Sequence, residues 1–338
     1  MRRVLVCWAA AGPPHGRRGS RGTPLLLLLF CVMGAACWAG AQRLPLQAAP
    51  KAPSFDANRA YRDLVKQCEF GPRVPGTQAH EDCATWLCDR LGKVVLQVRL
   101  QRFIVTVQQK RVPLVNLIVT INPKGQGHIL LCAHWDSRPT ADRDPSPSKR
   151  TKPVPGANDG ASGTAVLLEI ARALTAAPPK QKVTIVLFDG EDYGSKLEDM
   201  LLGSRHFAER YKEAPPDWAV LLDMVGDQDL RLAPELISQQ RAPAVVERIW
   251  SAAAKAGCKA FVREPGPAVL DDHVPLLDKG IPAIDVIDFD YPYWHTAADT
   301  PDKCSPASLE QVGRAVLQAI ADDAAARAPE AASSSSQK

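Results

Sequence analysis

Apolar and polar positions change rhythm several times along the chain, and the changes mark its elements. Helical spacing over Phe55–Glu69 and again over Thr77–Leu91 predicts two amphipathic helices, split by the breaker Gly71-Pro72…Pro75-Gly76. The β-branched runs Val94–Val107 and Val112–Ile121 predict strands, and the turn Asn122-Pro123-Lys124-Gly125 leads to a third, Ile129–Ala133. From Ala161 the pattern alternates. It predicts helix Ala161–Ala176, strand Val183–Phe188, helix Ser204–Tyr211, strand Val220–Leu222 and helices Val245–Ala256 and Asp272–Leu277. Strand Pro282–Ile287 and helix Leu309–Ala325 complete it. Strands alternating with helices imply an α/β fold: a single three-layer α/β/α domain, 55–326, around a mixed, largely parallel sheet.

The two ends fall outside this pattern. Arg2, Arg3, Arg17, Arg18 and Arg21 precede the apolar run Leu25–Met33, and Ala39-Gly40-Ala41 follows it. Basic, apolar and small residues in that order predict a secretory signal peptide, 1–41, cleaved after Ala41. The apolar run is shorter than the ~20 residues of a comfortable bilayer span; an uncleaved membrane anchor is the alternative. Residues 42–54, rich in Pro and Ala, read as an extended arm, and the Ala/Ser-rich 327–338 as a disordered tail.

Removing the leader changes the charge of the 338-residue chain. Its five Arg, with no acid among its residues, take the formal charge from +4 to −1, so no nucleic-acid footprint remains. After cleavage no stable membrane contact is expected, and the protein is read as a monomer. Six cysteines also remain: Cys68, Cys83, Cys88, Cys132, Cys258 and Cys304. In a secreted protein they could form bridges, although Cys83 and Cys88, five apart on a predicted helix, point to different faces. No Cys-x-x-Cys and no Asn-x-Ser/Thr occurs, which excludes a zinc ribbon and N-glycosylation.

Chemistry-bearing residues gather where the apolar runs stop. His134-Trp135-Asp136 follows one, and His-x-Asp there suits a metal ligand whose imidazole is oriented by a carboxylate, or equally a capping pair. Gly156-Ala157-Asn158-Asp159-Gly160 opens a helix, and Asp159 taken alone reads as its N-cap. Glu191-Asp192 crowns the strand ending at Phe188. Adjacent carboxylates repel unless a cation divides their tasks, one as ligand and the other as proton shuttle. Asp223 ends Ala219-Val220-Leu221-Leu222 in the same way, and Trp294-His295-Thr296 lies past the last strand. Asp271-Asp272-His273 reads as a helix start. Four apolar strands thus each deliver a ligand-type residue at the carboxyl end, where open α/β sheets place their sites. There is no His-Glu-x-x-His, Gly-x-Ser-x-Gly or Walker loop to compete.

At these residues the chain resembles the zinc aminopeptidase superfamily and, within it, the animal-type glutaminyl-peptide cyclotransferases. The resemblance runs from about Asp56 to the final helix. It is carried by Cys132-Ala133-His134-Trp135-Asp136-Ser137, Gly156-Ala157-Asn158-Asp159 and Asp189-Gly190-Glu191-Asp192, and by Leu221-Leu222-Asp223-Met224-Val225-Gly226. The segments Gly203-Ser204-Arg205-His206, Asp271-Asp272-His273-Val274-Pro275 and Trp294-His295-Thr296 favour the cyclases.

The cyclase pattern implies one zinc held by Asp159, Asp192 and His295, with Glu191 as general acid/base and Asp223 as a second catalytic carboxylate. Asp272 would extend the proton network and Trp294 would line the glutaminyl pocket, with His134 and Asp136 in support. The substrate would be the N-terminus of a peptide or protein. The aminopeptidase pattern implies two zincs instead, His134 and Asp223 holding the second and Asp159 bridging. A third class, an inactive binding ectodomain of the same fold, is disfavoured by the complete ligand set. This chain differs from the cyclase pattern in having Asp192 where Glu is usual. It also has Thr164 where animal cyclases have a Cys, which removes their disulfide to Cys132.

Overall fold

The computed structural model describes residues 53–95 and 97–327. The expected leader, nearly all of the expected arm and the tail beyond Arg327 lie outside these residues. The elements run α1 (Ala57–Glu69), α2 (Gln78–Gly92), β1 (Val98–Val107), β2 (Lys110–Ile121), β3 (His128–His134), α3 (Ala161–Ala176) and β4 (Lys182–Phe188). They continue with α4 (Leu202–Arg210), β5 (Trp218–Asp223), α5 (Leu236–Arg241), α6 (Pro243–Lys255), α7 (His273–Asp278), β6 (Ala283–Ile287) and α8 (Pro306–Ala326).

The strands form one sheet in the order β1-β2-β4-β3-β5-β6. β4, β3, β5 and β6 pair in parallel, and β1 and β2 extend the sheet antiparallel from β4. The parallel strands are buried almost end to end, as strands covered on both faces must be. Helix α3 packs on the sheet with α1, α2 and α8 around it; α4 and α7 pack together, touching β2 and β6 respectively; α5 contacts β6 and α6, and α6 packs chiefly on α8. This is the expected mixed-sheet α/β/α architecture. No described helix is long and apolar enough to cross a membrane.

Side-chain caps start the outer helices: Asp56 accepts from Arg59 N–H, Thr77 from His80 N–H and Ser305 from Ser308 N–H, each satisfying an N-terminal donor. Helix α3 is different, being buried along most of its length. Gly163 lets it lie directly on the β5 backbone, because a Cβ there would collide with the Leu222 carbonyl. That close approach brings the start of α3 beside the end of β5.

Four expectations change. Strand β1 starts at Val98 rather than Val94, since the N–H groups of Val94 and Val95 still bond to the Leu91 carbonyl and finish the α2 turn. Helix α5 was not expected; Glu235 creates it by accepting from both Ile237 and Ser238 N–H. All six described cysteines are free thiols. Arg327, read as the first tail residue, closes α8 and pairs with Asp323 and Asp217.

Candidate metal centre

The carboxyl ends of β4, β3 and β5 lie side by side, so the residues that follow them meet. His134 ends β3, Asp223 ends β5, and Glu191-Asp192 follows β4 after a left-handed turn at Gly190 (φ 75°). Asp159 arrives from the loop before α3, and His295 from the segment after β6. Asp159, Asp192 and His295 form one buried cluster; His134, Asp159 and Asp223 form a second. Asp159 belongs to both.

Buried backbone-to-acid bonds hold these loops. Asp136 accepts from Glu191 N–H (3.1 Å) and Asp192 N–H (3.3 Å), fixing the acidic pair. Asp299 accepts from Asn158 N–H (2.8 Å), Asp159 N–H (3.1 Å) and Tyr291 O–H (2.7 Å). The buried Arg73 guanidinium ties the carbonyls of Trp135, Pro155 and Gly156 together. Asp159, which alone reads as an N-cap, is not one: Gly160 (φ 98°) occupies that position with no side-chain cap, freeing the Asp159 carboxylate for the cluster. A Cβ at Gly160 would strike the Asp136 carbonyl.

In the first cluster, His295 Nε2 lies 3.4 Å from Asp192 Oδ1 and 3.7 Å from Asp159 Oδ2. Asp159 Oδ2 and Asp192 Oδ2 are buried without a hydrogen-bond partner. Unpaired buried carboxylate oxygens are costly, and two of them beside an imidazole fit a bound divalent metal. Two carboxylates and one imidazole match the count of three protein ligands in catalytic zinc sites and draw on zinc's ligand types. In the second cluster, His134 Nε2 is 3.0 Å from Asp223 Oδ1 and 3.2 Å from Asp159 Oδ1. Asp136 Oδ1 faces His134 Nδ1 at 3.5 Å without a directed hydrogen bond, so Asp136 anchors the acidic pair more firmly than it orients His134.

Charge interactions tune the groups. Burial would lower His295, but Asp192, Asp142 and Asp159 outweigh it and carry the imidazole up to about 9. Burial likewise opposes His134, whose acidic neighbours, led by Asp223, hold it well above the usual histidine value. Glu191 is pushed well above the carboxylate range by burial and then by Asp192, with Asp271 and Asp272 adding to it. A carboxyl raised in this way, inside a cluster of other titratable groups, is a candidate for proton transfer. Burial also raises Asp223, while His134 pulls it back.

The remaining expected residues lie around this centre. Asp272 is buried and accepts from Ser204 Oγ at 2.5 Å; burial and Asp271 raise it well above normal. Trp294 is half-buried, its ring 4.1 Å from that of His295 and 4.9 Å from Phe289, with the Arg143 guanidinium 4.8 Å over its face. Sequence reasoning passed over three acids. Asp271, read only as part of a helix start, is raised to about 7 by burial and by Asp223. Asp285 on β6 is wholly buried, neither oxygen has a partner, and burial and Asp271 raise it strongly. Asp142 faces His295 Nδ1 at 3.5 Å. The one available signal was an acid inside an apolar strand, at Asp285. Thr164, at the position of the missing Cys, donates its hydroxyl to the His134 carbonyl (2.8 Å).

Three non-glycine residues beside the centre have left-handed backbones: Leu201 (φ 56°), Met224 (φ 46°) and His295 itself (φ 55°). Leu201 N–H bonds the Glu191 carbonyl, and Met224 directly follows Asp223.

Sheet topology and donor set together define an α/β protein built to gather acids and imidazoles around a divalent metal. The chain belongs to Peptidase family M28, whose model matches residues 116–320. Among solved structures it is similar to a glutaminyl cyclase from Bacteroides thetaiotaomicron bound to N-acetylhistamine, with 35% identity, 80% of this chain and 99% of that one covered, and a TM-score of 0.77. It is similar to a Zn-dependent exopeptidase from Parabacteroides distasonis at 36% identity, with 80% and 99% covered and the same TM-score of 0.77. A glutaminyl-peptide cyclotransferase from Bos taurus is 26% identical over 60% of this chain and 64% of its own length. The chain spans less than two thirds of the length of the curated relatives it matches.

Proposed function

We propose that this chain is a zinc-dependent glutaminyl-peptide cyclotransferase, which converts the N-terminal glutamine of peptides or proteins to pyroglutamate and releases ammonia. The observation that carries the reading is the contrast between the two clusters. Asp159 and Asp192 each leave an oxygen open beside His295, while in the second cluster His134 Nε2 and Asp223 Oδ1 already pair at 3.0 Å and only His134 Nδ1, facing Asp136, lacks a partner. One open cluster supports one ion, as cyclisation needs.

Asp159, Asp192 and His295 would hold that zinc, which when bound polarises the γ-carboxamide carbonyl as a Lewis acid. The substrate α-amine attacks the carboxamide carbon, a C–N bond closes the lactam, and the bond to the side-chain nitrogen breaks. Glu191 takes a proton from the amine and delivers it to the departing ammonia. Asp223 accepts from the amine and orients it, and Asp271 and Asp272 keep the Glu191 proton available. Trp294 supplies an apolar wall for the glutaminyl side chain. The nucleophile is tethered to its target, so high effective molarity replaces an activated water. The leader-like residues 1–41 support delivery to the secretory pathway.

Mass spectrometry of the products tests this. Purified protein incubated with peptides beginning in Gln should yield loss of ammonia. Removal of the first residue from peptides beginning in Leu, with no change in Gln peptides, would overturn it. That outcome belongs to the second reading, a two-metal aminopeptidase, which the compact His134/Asp159/Asp223 set favours.

A further inference from the structure

We propose that Arg138 and Asp142 are positioning residues for the metal, a clamp that fixes Asp192 and His295 as ligands from behind. The proposal rests on the metal triad assigned above and goes beyond it.

The geometry is a closed circuit. Arg138, only 5% exposed, donates from Nη1 to Asp192 Oδ1 (2.5 Å) and to the Gly194 carbonyl (3.2 Å). Its other edge faces Asp142, with Nε 2.8 Å from Oδ1 and Nη2 3.2 Å from Oδ2. Asp142 Oδ1 stands 3.5 Å from His295 Nδ1, and His295 Nε2 returns to Asp192 at 3.4 Å. The backbone closes the same circuit, since Arg143 N–H donates to the His295 carbonyl at 3.1 Å. Segment 138–143 therefore grips His295 by ring and by main chain.

Two consequences follow for the ligands. With Asp142 Oδ1 facing Nδ1 at 3.5 Å and Arg143 N–H holding the His295 carbonyl, the imidazole presents Nε2 to Asp159 and Asp192, and ring and main chain are held together as behind a metal-ligating histidine. With Arg138 on Oδ1, Asp192 has a single unpaired oxygen, Oδ2, to offer. A guanidinium addresses the two carboxylates from separate edges of one plane, whereas a lysine ammonium offers its donors from a single nitrogen and cannot reproduce that spread. Because Asp142 balances Arg138, the pair brings little net charge toward the metal, and orientation is its contribution. The clamp also fits Asp192 itself. An Asp is one methylene shorter than the Glu usual in cyclases, and a fixed donor holds the shorter carboxylate in register.

The test is zinc affinity by chelator competition on the metal-stripped full chain at one pH, for wild type, His295→Ala, Asp142→Asn, Arg138→Lys and the double variant. Wild type should bind about one zinc, and His295→Ala none. Asp142→Asn and Arg138→Lys should each bind one zinc about 10–100-fold more weakly, the usual effect of losing a group behind a ligand. The double variant should lose about as much as the worse single one, the coupling expected of one device. Their cobalt forms should show shifted visible bands. Asp142 lies on the rim, so Asp142→Asn serves if Arg138→Lys fails to fold. Affinities within twofold of wild type, with only a lowered melting temperature of the metal-free protein, would reduce the pair to scaffold and overturn the clamp. Wild type binding no zinc would overturn the triad and the clamp together.

Discussion

Two clusters of the same residue types share Asp159, yet they end their hydrogen bonds differently. Around His295, the Oδ2 atoms of Asp159 and Asp192 are buried without partners, while Asp142 and Arg138 stand behind His295 and Asp192. Around His134, the imidazole is already bonded to Asp223 and faces Asp159 at 3.2 Å, and among the described residues no cation stands behind it. A buried polar atom left unsatisfied costs about 1–3 kcal/mol. The first cluster therefore has the more to gain from an occupant between its two open oxygens, whereas the second leaves only His134 Nδ1, which faces Asp136, without a partner. Donor type alone does not distinguish a metal site; the fate of each lone pair does.

The strongest way to break this comparison is to exchange the histidines. His295→Ala should take the bound zinc from about one per chain to none and abolish turnover, while His134→Ala keeps the ion; elemental analysis reads the difference. The reverse pattern would mean that the occupied cluster has been misassigned. Next in size, Glu191→Gln should retain zinc and slow turnover by ~10²–10⁴-fold, the usual worth of a general acid/base. Asp192→Asn should instead lose the metal. If Asp192→Asn kept zinc and lost only turnover, the two roles would be exchanged.

A smaller effect separates the clusters by pH. In the metal-free protein His295 is raised to about 9 from 6.5, so below pH 9 zinc must displace its proton. Affinity should then climb about tenfold or more per pH unit between 6.5 and 9. Proton release on binding, followed in weak buffer, checks this directly. Occupation of the His134 cluster would carry the climb further up the scale, because that imidazole is held well above its usual value. A flat profile would rule out His295 as ligand. The smallest effect is expected from Thr164→Val, which removes one hydroxyl bond to the His134 carbonyl. It should lower stability by about 1 kcal/mol and leave zinc binding unchanged, as measured by denaturant unfolding and titration.

The sheet and most positions of the two clusters were legible because both are local. A buried parallel strand shows as an apolar run, and the residue ending that run must lie at the sheet's carboxyl edge. Asp159 was harder, since an acid before a helix usually caps it; only the Gly163 packing on Leu222 and the Gly160 backbone turn make it a cluster member. Arg138 and Asp142 carried no signal at all. They are ordinary charged residues in a polar loop, and their partners lie 54 residues on, at Asp192, and beyond β6, at His295. Asp271 and Asp285 were hidden similarly, one as a helix start and the other as a single acid within a strand.

The left-handed backbones at Leu201, Met224 and His295 have a consequence for heat tolerance. Conformations of this kind cost of the order of 1–3 kcal/mol for each residue with a side chain. At Leu201 a Gly would relieve the turn and keep the backbone N–H that holds the Glu191 carbonyl, but it would also remove a buried leucine side chain, a loss of about 2–5 kcal/mol that cancels the gain. The same relief is closed at His295, because the imidazole and the strained turn belong to one residue. Some of the stability this fold could have had is therefore tied up at its most exacting position, and thermal hardening has to be sought in the elements that merely carry it.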